Sequence, residues 1–157
     1  MRKEILSFTD QKPDGRLIHD LEEAAVHISG FAPGQDSFFV FIMRPDMIRE
    51  LELLADEEGA GRNAPLLVVA FADPRKPAAR AESLFSLHAM AAEAERQNMS
   101  SQYAPFAVRV FQDPSFRELS SACGVPSGYG CTGAILLGEE NESVQHEAHY
   151  NVFSYIQ

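Results

Sequence analysis

The chain has 157 residues, of which 45% are hydrophobic, and a formal net charge of −10 at pH 7. Nucleic acids and anionic membranes are bound by clustered Lys and Arg, so this charge argues against both as partners. The length suits a single domain over residues 1–157 that buries about 70% of its unfolded surface. No signal sequence or apolar run of membrane length is present, so we expect a soluble cytoplasmic protein.

The first third of the chain predicts two helices separated by a strand. Residues 2–13 are polar and irregular, with few apolar anchors. A helix is predicted over 16–29, because an Asp-Gly pair precedes a run with helical apolar spacing. The unbroken apolar run 38–43 predicts a strand covered on both faces. A second helix is predicted over 46–58, where glycines follow.

One strand and the helix after it form the centre of the predicted fold. The run 64–73 is apolar and β-branched at its middle, which is typical of a strand inside a sheet. Residues 78–98 are good helix formers rich in alanine. Their small side chains allow close approach to a neighbour, so this helix is either an ordinary core helix or a central, dimer-forming one.

The second half of the chain begins with an ambiguous segment. Residues 100–111 alternate as a strand would, yet their length and composition also allow a helix. A helix is predicted over 113–122, started by an Asp-Pro pair, and a third buried strand over 132–138. The region 139–157 is an acidic C-terminal arm whose β-prone end, 150–156, must add to a sheet of this subunit or of a partner.

The two cysteines, Cys123 and Cys131, have no CxxC spacing and no neighbouring ligand pattern. They are interpreted as free thiols, with a redox or disulfide role as the less favoured alternative. His19 and His27 lie on the first predicted helix without a partner at ligand spacing. The sequence therefore predicts no metal site.

An ordered set of short motifs resembles the nitroreductase family of flavin mononucleotide (FMN) oxidoreductases. Residues 2–8, Arg-Lys-Glu-Ile-Leu-Ser-Phe, stand where the family has Arg-Arg-Ser-x-Arg-x-Phe. Residues 32–38, Ala-Pro-Gly-Gln-Asp-Ser-Phe, resemble its Ala-Pro-Ser segment before a strand. The Ala-Pro pair at 64–65, the Cys-Gly-Val-Pro-Ser-Gly-Tyr of 123–129 and the strand 134–138 follow in the family's order.

The resemblance implies both a fold and an activity. The fold would be α+β, a nitroreductase-like three-layer α/β/α sandwich with a mixed, mostly antiparallel central sheet and a C-terminal strand exchanged between the subunits of a homodimer. FMN would lie between the subunits and pass hydride from NAD(P)H to a nitroaromatic, quinone or similar small aromatic acceptor. No catalytic side chain is implied, and the cofactor-binding residues would be Arg2, Lys3, Glu4, Leu6, Asp36 and Ser37.

The chain departs from the family where the flavin phosphate would be bound. Glu4 places a carboxylate where the family has a serine hydroxyl beside a dianion. No Lys or Arg follows Arg117, so the family's late basic residues have no counterpart. His146 and His149 are the nearest substitutes, and each would need a proton to carry charge.

Two further positions differ at the flavin ring. Leu6 stands where the family has a cation near the flavin N1, and Lys12 or Arg16 would have to supply that charge. Asp36 falls near a family asparagine and can still accept a hydrogen bond from the flavin N3–H.

Two functions are consistent with these departures. The first is an FMN-dependent oxidoreductase with a weakened phosphate site. The second is a nitroreductase-like fold that has lost its flavin and acts as a binding or regulatory module. Under the first, Arg2 is expected to face the phosphate and Arg62 to lie away from it.

Overall fold

A computed structural model of the chain describes residues 2–27 and 36–146 together with positions 154 and 156, and for Arg2 it describes the backbone only. The predicted end of the first helix beyond residue 27 therefore lies outside the described residues. So does nearly all of the predicted terminal strand 150–156, and with it the predicted strand exchange.

A four-stranded antiparallel sheet forms the centre of the molecule, in the order β2-β3-β5-β4. Its strands are β2 Ser37–Ile42, β3 Leu66–Ala72, β4 Ser100–Tyr103 and β5 Gly130–Gly138. All seven residues of β3 are buried, which confirms the prediction of a strand inside the sheet. β2 is only half-buried because it forms one edge, and no described residue pairs with its outer side.

Helices cover both faces of this sheet, which gives the expected three layers. The helices are α1 Gly15–Val26, α2 Pro45–Leu54, α3 Ala79–Arg96, α4 Pro105–Gln112 and α5 Arg117–Ala122. α1 and α3 pack together on one face, where Leu21, Met90 and Ala94 are fully buried. α2 and α4 cover the other face, with Leu51, Phe106 and Val110 in its core. No helix within the described ranges is long and apolar enough to span a membrane.

The chain start and the acidic arm pair with each other, which corrects the prediction that residues 2–13 are irregular. Strand β1, Arg2–Phe8, is antiparallel to β6, Glu140–His146, in a separate two-stranded sheet. Ile5 and Phe8 are 2% and 3% exposed and join the core below. The pairing partners are more than 130 residues apart, so local patterns in the sequence do not reveal them. We call this pair of strands the ribbon.

The ambiguous segment contains both elements that its pattern allows. Residues 100–103 form β4, and Pro105 then occupies the first turn of α4, where its missing N–H costs nothing. The buried side chains of α4 are Phe106, Ala107, Val108, Val110 and Phe111. The predicted helix start at Asp113 is also confirmed, because its side chain accepts a 2.9 Å hydrogen bond from the Ser115 N–H.

The second helix is shorter than predicted, since α2 ends at Leu54 and residues 55–63 form tight turns. Four residues there have a positive φ: Asp56, Gly59, Arg62 and Asn63. Only Gly59 adopts this conformation at no steric cost. This loop lies between α2 and β3 and contacts the ribbon.

Candidate functional site

The ribbon is fixed in place by hydrogen bonds that its backbone N–H groups donate. The Phe8 N–H donates to the Arg62 carbonyl at 2.8 Å, and the Ile5 N–H donates to Oε1 of Gln102 at 3.1 Å. Gln102 lies on β4 and Arg62 in the loop before β3. The ribbon therefore occupies a defined place beside one end of the central strands.

Glu4 is held between two basic side chains on this ribbon. Its Oε2 is 2.7 Å from Nε2 of His146, and its Oε1 is 3.3 Å from Nη1 of Arg62. Arg62 also donates to the Ile5 carbonyl. The hydrogen bond from His146, and then that from Arg62, hold the pKa of Glu4 below its ordinary value. Arg62, which was expected to lie away from the phosphate, thus contacts the N-terminal motif.

Lys3 is also paired with a carboxylate, that of Glu140 at the start of β6. Glu140 accepts further hydrogen bonds from the hydroxyls of Ser143 and Ser100. The bond from Lys3, followed by the one from Ser143, lowers the pKa of Glu140. The charge of Lys3 therefore already has a partner within the protein.

Leu6 of the N-terminal motif offers little to a polar ligand. Leu6 is 42% exposed and carries no polar group. Arg2 lies opposite His146 in the strand register. The motif therefore brings Lys3 and Glu4 together with two basic groups and one acid that the resemblance alone did not place there. These are Arg62, His146 and Glu140.

Asp36 and Ser37 lie at the other end of the central sheet. Ser37 pairs with Ala72, and the Asp36 carbonyl accepts from the Asp73 N–H at 2.9 Å. The ribbon instead lies near Leu66, the first residue of β3. Ala72 lies six positions after Leu66, which is about 20 Å along a strand. Within one chain, the two predicted groups of cofactor ligands do not meet.

A cavity of about 530 Å³ opens beside the ribbon, between α2 and the loop 55–63. Its volume lies within the range of about 300–1,000 Å³ that is usual for small-molecule sites. The walls combine apolar side chains with the cations of Lys12 and Arg49. Lys12 was considered from the sequence as a substitute for the cation missing at Leu6, whereas Arg49 was not. The lining is completed by Asp10, Met43, Pro45, Ile48, Glu52, Glu58, Gly59, Asn63, Ala64 and Pro65.

A buried carboxylate supports this cavity from the helix side. Glu52 is 7% exposed and accepts hydrogen bonds from the Gly59 N–H at 3.1 Å and the Gly61 N–H at 2.7 Å. Leu54, near the end of the same helix, is 38% exposed. Glu52 was missed, although its position four residues after Ile48 places it on the buried stripe of α2. It fixes the loop that carries Arg62.

The described side chains of the ribbon do not fit a phosphate dianion. Its two described basic side chains, Lys3 and His146, each contact a carboxylate of the protein. A phosphate would have to displace Glu4 or Glu140 and then lie beside the displaced negative charge. The neighbouring cavity is different, because Lys12 and Arg49 form no ion pair among the described residues.

The two cysteines are free thiols. Cys131 is buried on β5, and burial raises its pKa to about 12. Cys123 is half-buried at the end of α5, and burial also raises its pKa. Neither environment produces a reactive thiolate. In the parts of the chain that the structure describes, no group of three His, Cys, Asp or Glu side chains is placed to hold a metal ion.

Solved structures that are similar to this chain include three that contain or act on flavin or nicotinamide nucleotides. A nitroreductase with bound FMN from Bacteroides fragilis matches with a TM-score of 0.80 and 14% identity over 98% of this chain and 94% of that one. A nitroreductase with bound FMN from Desulfitobacterium hafniense matches with a TM-score of 0.76 and 20% identity over 99% of this chain and 94% of that one. The NADPH:FMN oxidoreductase from Vibrio harveyi complexed with NAD+ matches with a TM-score of 0.74 and 14% identity over 100% of this chain and 76% of that one.

No protein-family model matches the sequence, and no curated protein does. At identities of 14–20% the likeness concerns the fold. The expected three-layer architecture is confirmed on that basis.

Proposed function

We propose that this chain, which has the nitroreductase fold, is a flavin-dependent oxidoreductase that passes hydride from NAD(P)H to a nitroaromatic, quinone or similar acceptor. The observation that carries the proposal is the match over 98% of the chain to a structure with bound FMN. FMN is therefore the first flavin to test. A cytoplasmic location, where NAD(P)H is available, belongs to the same proposal.

The cavity beside the ribbon supports a role in ligand binding. Its apolar side chains suit a flat aromatic ring, and it offers the cations of Lys12 and Arg49 beside the carboxylates of Asp10, Glu52 and Glu58. A flavin supplies hydride chemistry itself, so the protein needs to bind it, orient it and tune its charge. We accordingly assign no catalytic side chain.

We further propose that the functional unit is a homodimer with a site shared between subunits. Asp36 and Ser37 lie about 20 Å along β3 from the ribbon of the same chain, which supports a ligand that reaches the two groups from two copies. The outer edge of β2 is also unpaired among the described residues and could accept a further strand. Exchange of segment 150–156 between subunits, as the resemblance implies, is part of this proposal.

The proposal is tested with purified full-length protein. Titration with FMN and with riboflavin should quench flavin fluorescence to an endpoint of one flavin per chain. The loaded protein should then oxidise NADH or NADPH in the presence of a quinone. Light scattering should give twice the 17.4 kDa subunit mass. If neither flavin binds at high micromolar concentration, the oxidoreductase proposal is wrong.

The second candidate, a flavin-free binding or regulatory module, is favoured by one observation, the pairing of Glu4 with Arg62 and His146. In this contact the Glu4 carboxylate occupies the position between Arg62 and His146 that a bound anion would otherwise take. Colourless protein that binds no flavin but remains a folded dimer would support this candidate.

A further inference from the structure

The ribbon contains an arrangement that resembles an anion receptor with its anion already in place. Arg62 and His146 come from separate parts of the chain, and both direct nitrogen atoms at the Glu4 carboxylate. Arginine and histidine side chains converging on one oxyanion form a common phosphate-binding geometry. Here a side chain of the same molecule is that oxyanion.

The strand register explains why the carboxylate is held so closely. Glu4 lies opposite Val144 in the ribbon, so His146, two residues farther along β6, is its diagonal neighbour on the same face. Arg62 is fixed separately by its bond to the Ile5 carbonyl. His146 is therefore positioned by the strand register and Arg62 by a backbone carbonyl, and Glu4 meets both.

No other described basic group of the ribbon is free to receive a dianion. Lys3 is paired with Glu140, and Glu139 and Glu142 add further negative charge on and beside β6. The side chains of Glu4, Arg62 and His146 are 33%, 27% and 42% exposed, so a ligand can approach them. An approaching phosphate would meet carboxylates whose partners are already engaged.

We propose that Glu4 makes this site selective for the phosphate-free form of its ligand, so that riboflavin is bound in preference to FMN. This inference rests on the proposed flavin-dependent function. The ring would be held by the neighbouring cavity, and the ribbon would contribute discrimination against the dianion. Glu4 is then a specificity-determining residue, not a member of the reacting group.

The test compares riboflavin with FMN on the full-length protein by fluorescence quenching and calorimetry. We expect the wild type to bind FMN about tenfold more weakly than riboflavin, the factor that about 1.4 kcal/mol of repulsion produces. Glu4→Gln and Glu4→Ser should each move the ratio of the two dissociation constants about tenfold towards FMN, because Arg62 and His146 become available. Two variants are used so that poor folding of one does not decide the result.

Glu22→Gln is the matched control, since Glu22 is exposed on α1, lies outside the ribbon and the cavity, and pairs with neither basic group. It removes the same charge and should leave the ratio of dissociation constants unchanged. Tighter binding of FMN than of riboflavin by the wild type would overturn the inference and leave the oxidoreductase proposal intact. A ratio of the two dissociation constants that neither Glu4 variant changes would also overturn the inference and leave that proposal intact. Failure of both flavins to bind would instead overturn the oxidoreductase proposal and this inference with it.

Discussion

The ring of Phe111 meets the ring of Phe71 edge to face, with centroids 5.4 Å apart and planes at 88°. Phe71 is fully buried on β3, and Phe111 is 6% exposed on α4. Edge-to-face geometry places the positive rim of one ring against the negative face of the other. This contact joins the segment that was hardest to assign from the sequence to the central strand.

Phe111→Ala should therefore destabilise the protein strongly. Truncating a buried Phe removes its transfer free energy and leaves a cavity, a loss of about 3–5 kcal/mol. Chemical denaturation monitored by circular dichroism measures the change. Leu53→Ala is the control, because Leu53 is 68% exposed and its truncation should alter the free energy of unfolding by less than about 0.5 kcal/mol. Equal losses for the two variants would contradict the position of α4.

Glu52→Gln should loosen the loop 55–63. The amide keeps the size of the side chain but turns one acceptor oxygen into a donor that faces the N–H of Gly59 or Gly61. We expect a loss of about 1–3 kcal/mol in the free energy of unfolding. Hydrogen exchange at both amides should also be faster. The exposed Glu50→Gln on the same helix should change neither quantity.

Gly138→Ala tests the close approach of β5 to the base of the ribbon. A Cβ there would lie 2.6 Å from Cδ of Pro65 and 3.0 Å from Cδ1 of Phe8, and neither is a flexible chain end. Overpacking of this kind costs about 1–3 kcal/mol. At Gly130 on the same strand a Cβ would meet nothing within 4 Å. The melting temperature of Gly130→Ala should therefore be close to that of the wild type. If Gly138→Ala also melts close to the wild type, the packing of Gly138 against Pro65 and Phe8 is refuted.

The two thiols should differ in reactivity. Burial raises the pKa of Cys131 to about 12 and also raises that of the half-exposed Cys123. Since the thiolate is the reactive form, both react slowly with a disulfide reagent at pH 8, and Cys131 reacts only on unfolding. We expect two thiols per chain in denaturant and at most one, titrating slowly, in the native protein. Cys123→Ser should abolish that native reaction.

The ion pairs of Glu4 predict a dependence of stability on pH. Its pKa is lowered from the ordinary 4.5 in the folded state by His146 and Arg62, so its contribution is present above that value and is lost as the pH falls through the lowered one. Wild type should melt at a higher temperature than Glu4→Gln at pH 7. The difference in melting temperature should shrink as the pH falls below about 4.5. A difference that grows on acidification would contradict the pairing.

The elements that the sequence predicted well are those whose environment is uniform. β3 is buried along its whole length, so a continuous apolar run is enough to identify it. α3 is recognisable by composition, because its alanines and long side chains are good helix formers wherever they point. The secondary structure of such elements can be predicted from their own residues.

The parts of the candidate site that the sequence missed depend on contacts between distant residues. Nothing near Glu4 in the chain indicates that its carboxylate meets Arg62, 58 residues away, or His146, 142 residues away. The ribbon strands carry charged residues of low β-propensity and become strands only against each other. Glu52 was the exception, because a lone carboxylate on an apolar helical stripe is visible in the sequence.

The pairing of residue 2 with residue 146 also has a consequence for the order of folding. The strands of the central sheet all lie between residues 37 and 138, whereas β1 finds its partner only in residues 140–146. Contacts between such distant residues form late because the intervening loop must close first. On refolding from denaturant, the central sheet should thus assemble before Glu4 meets His146.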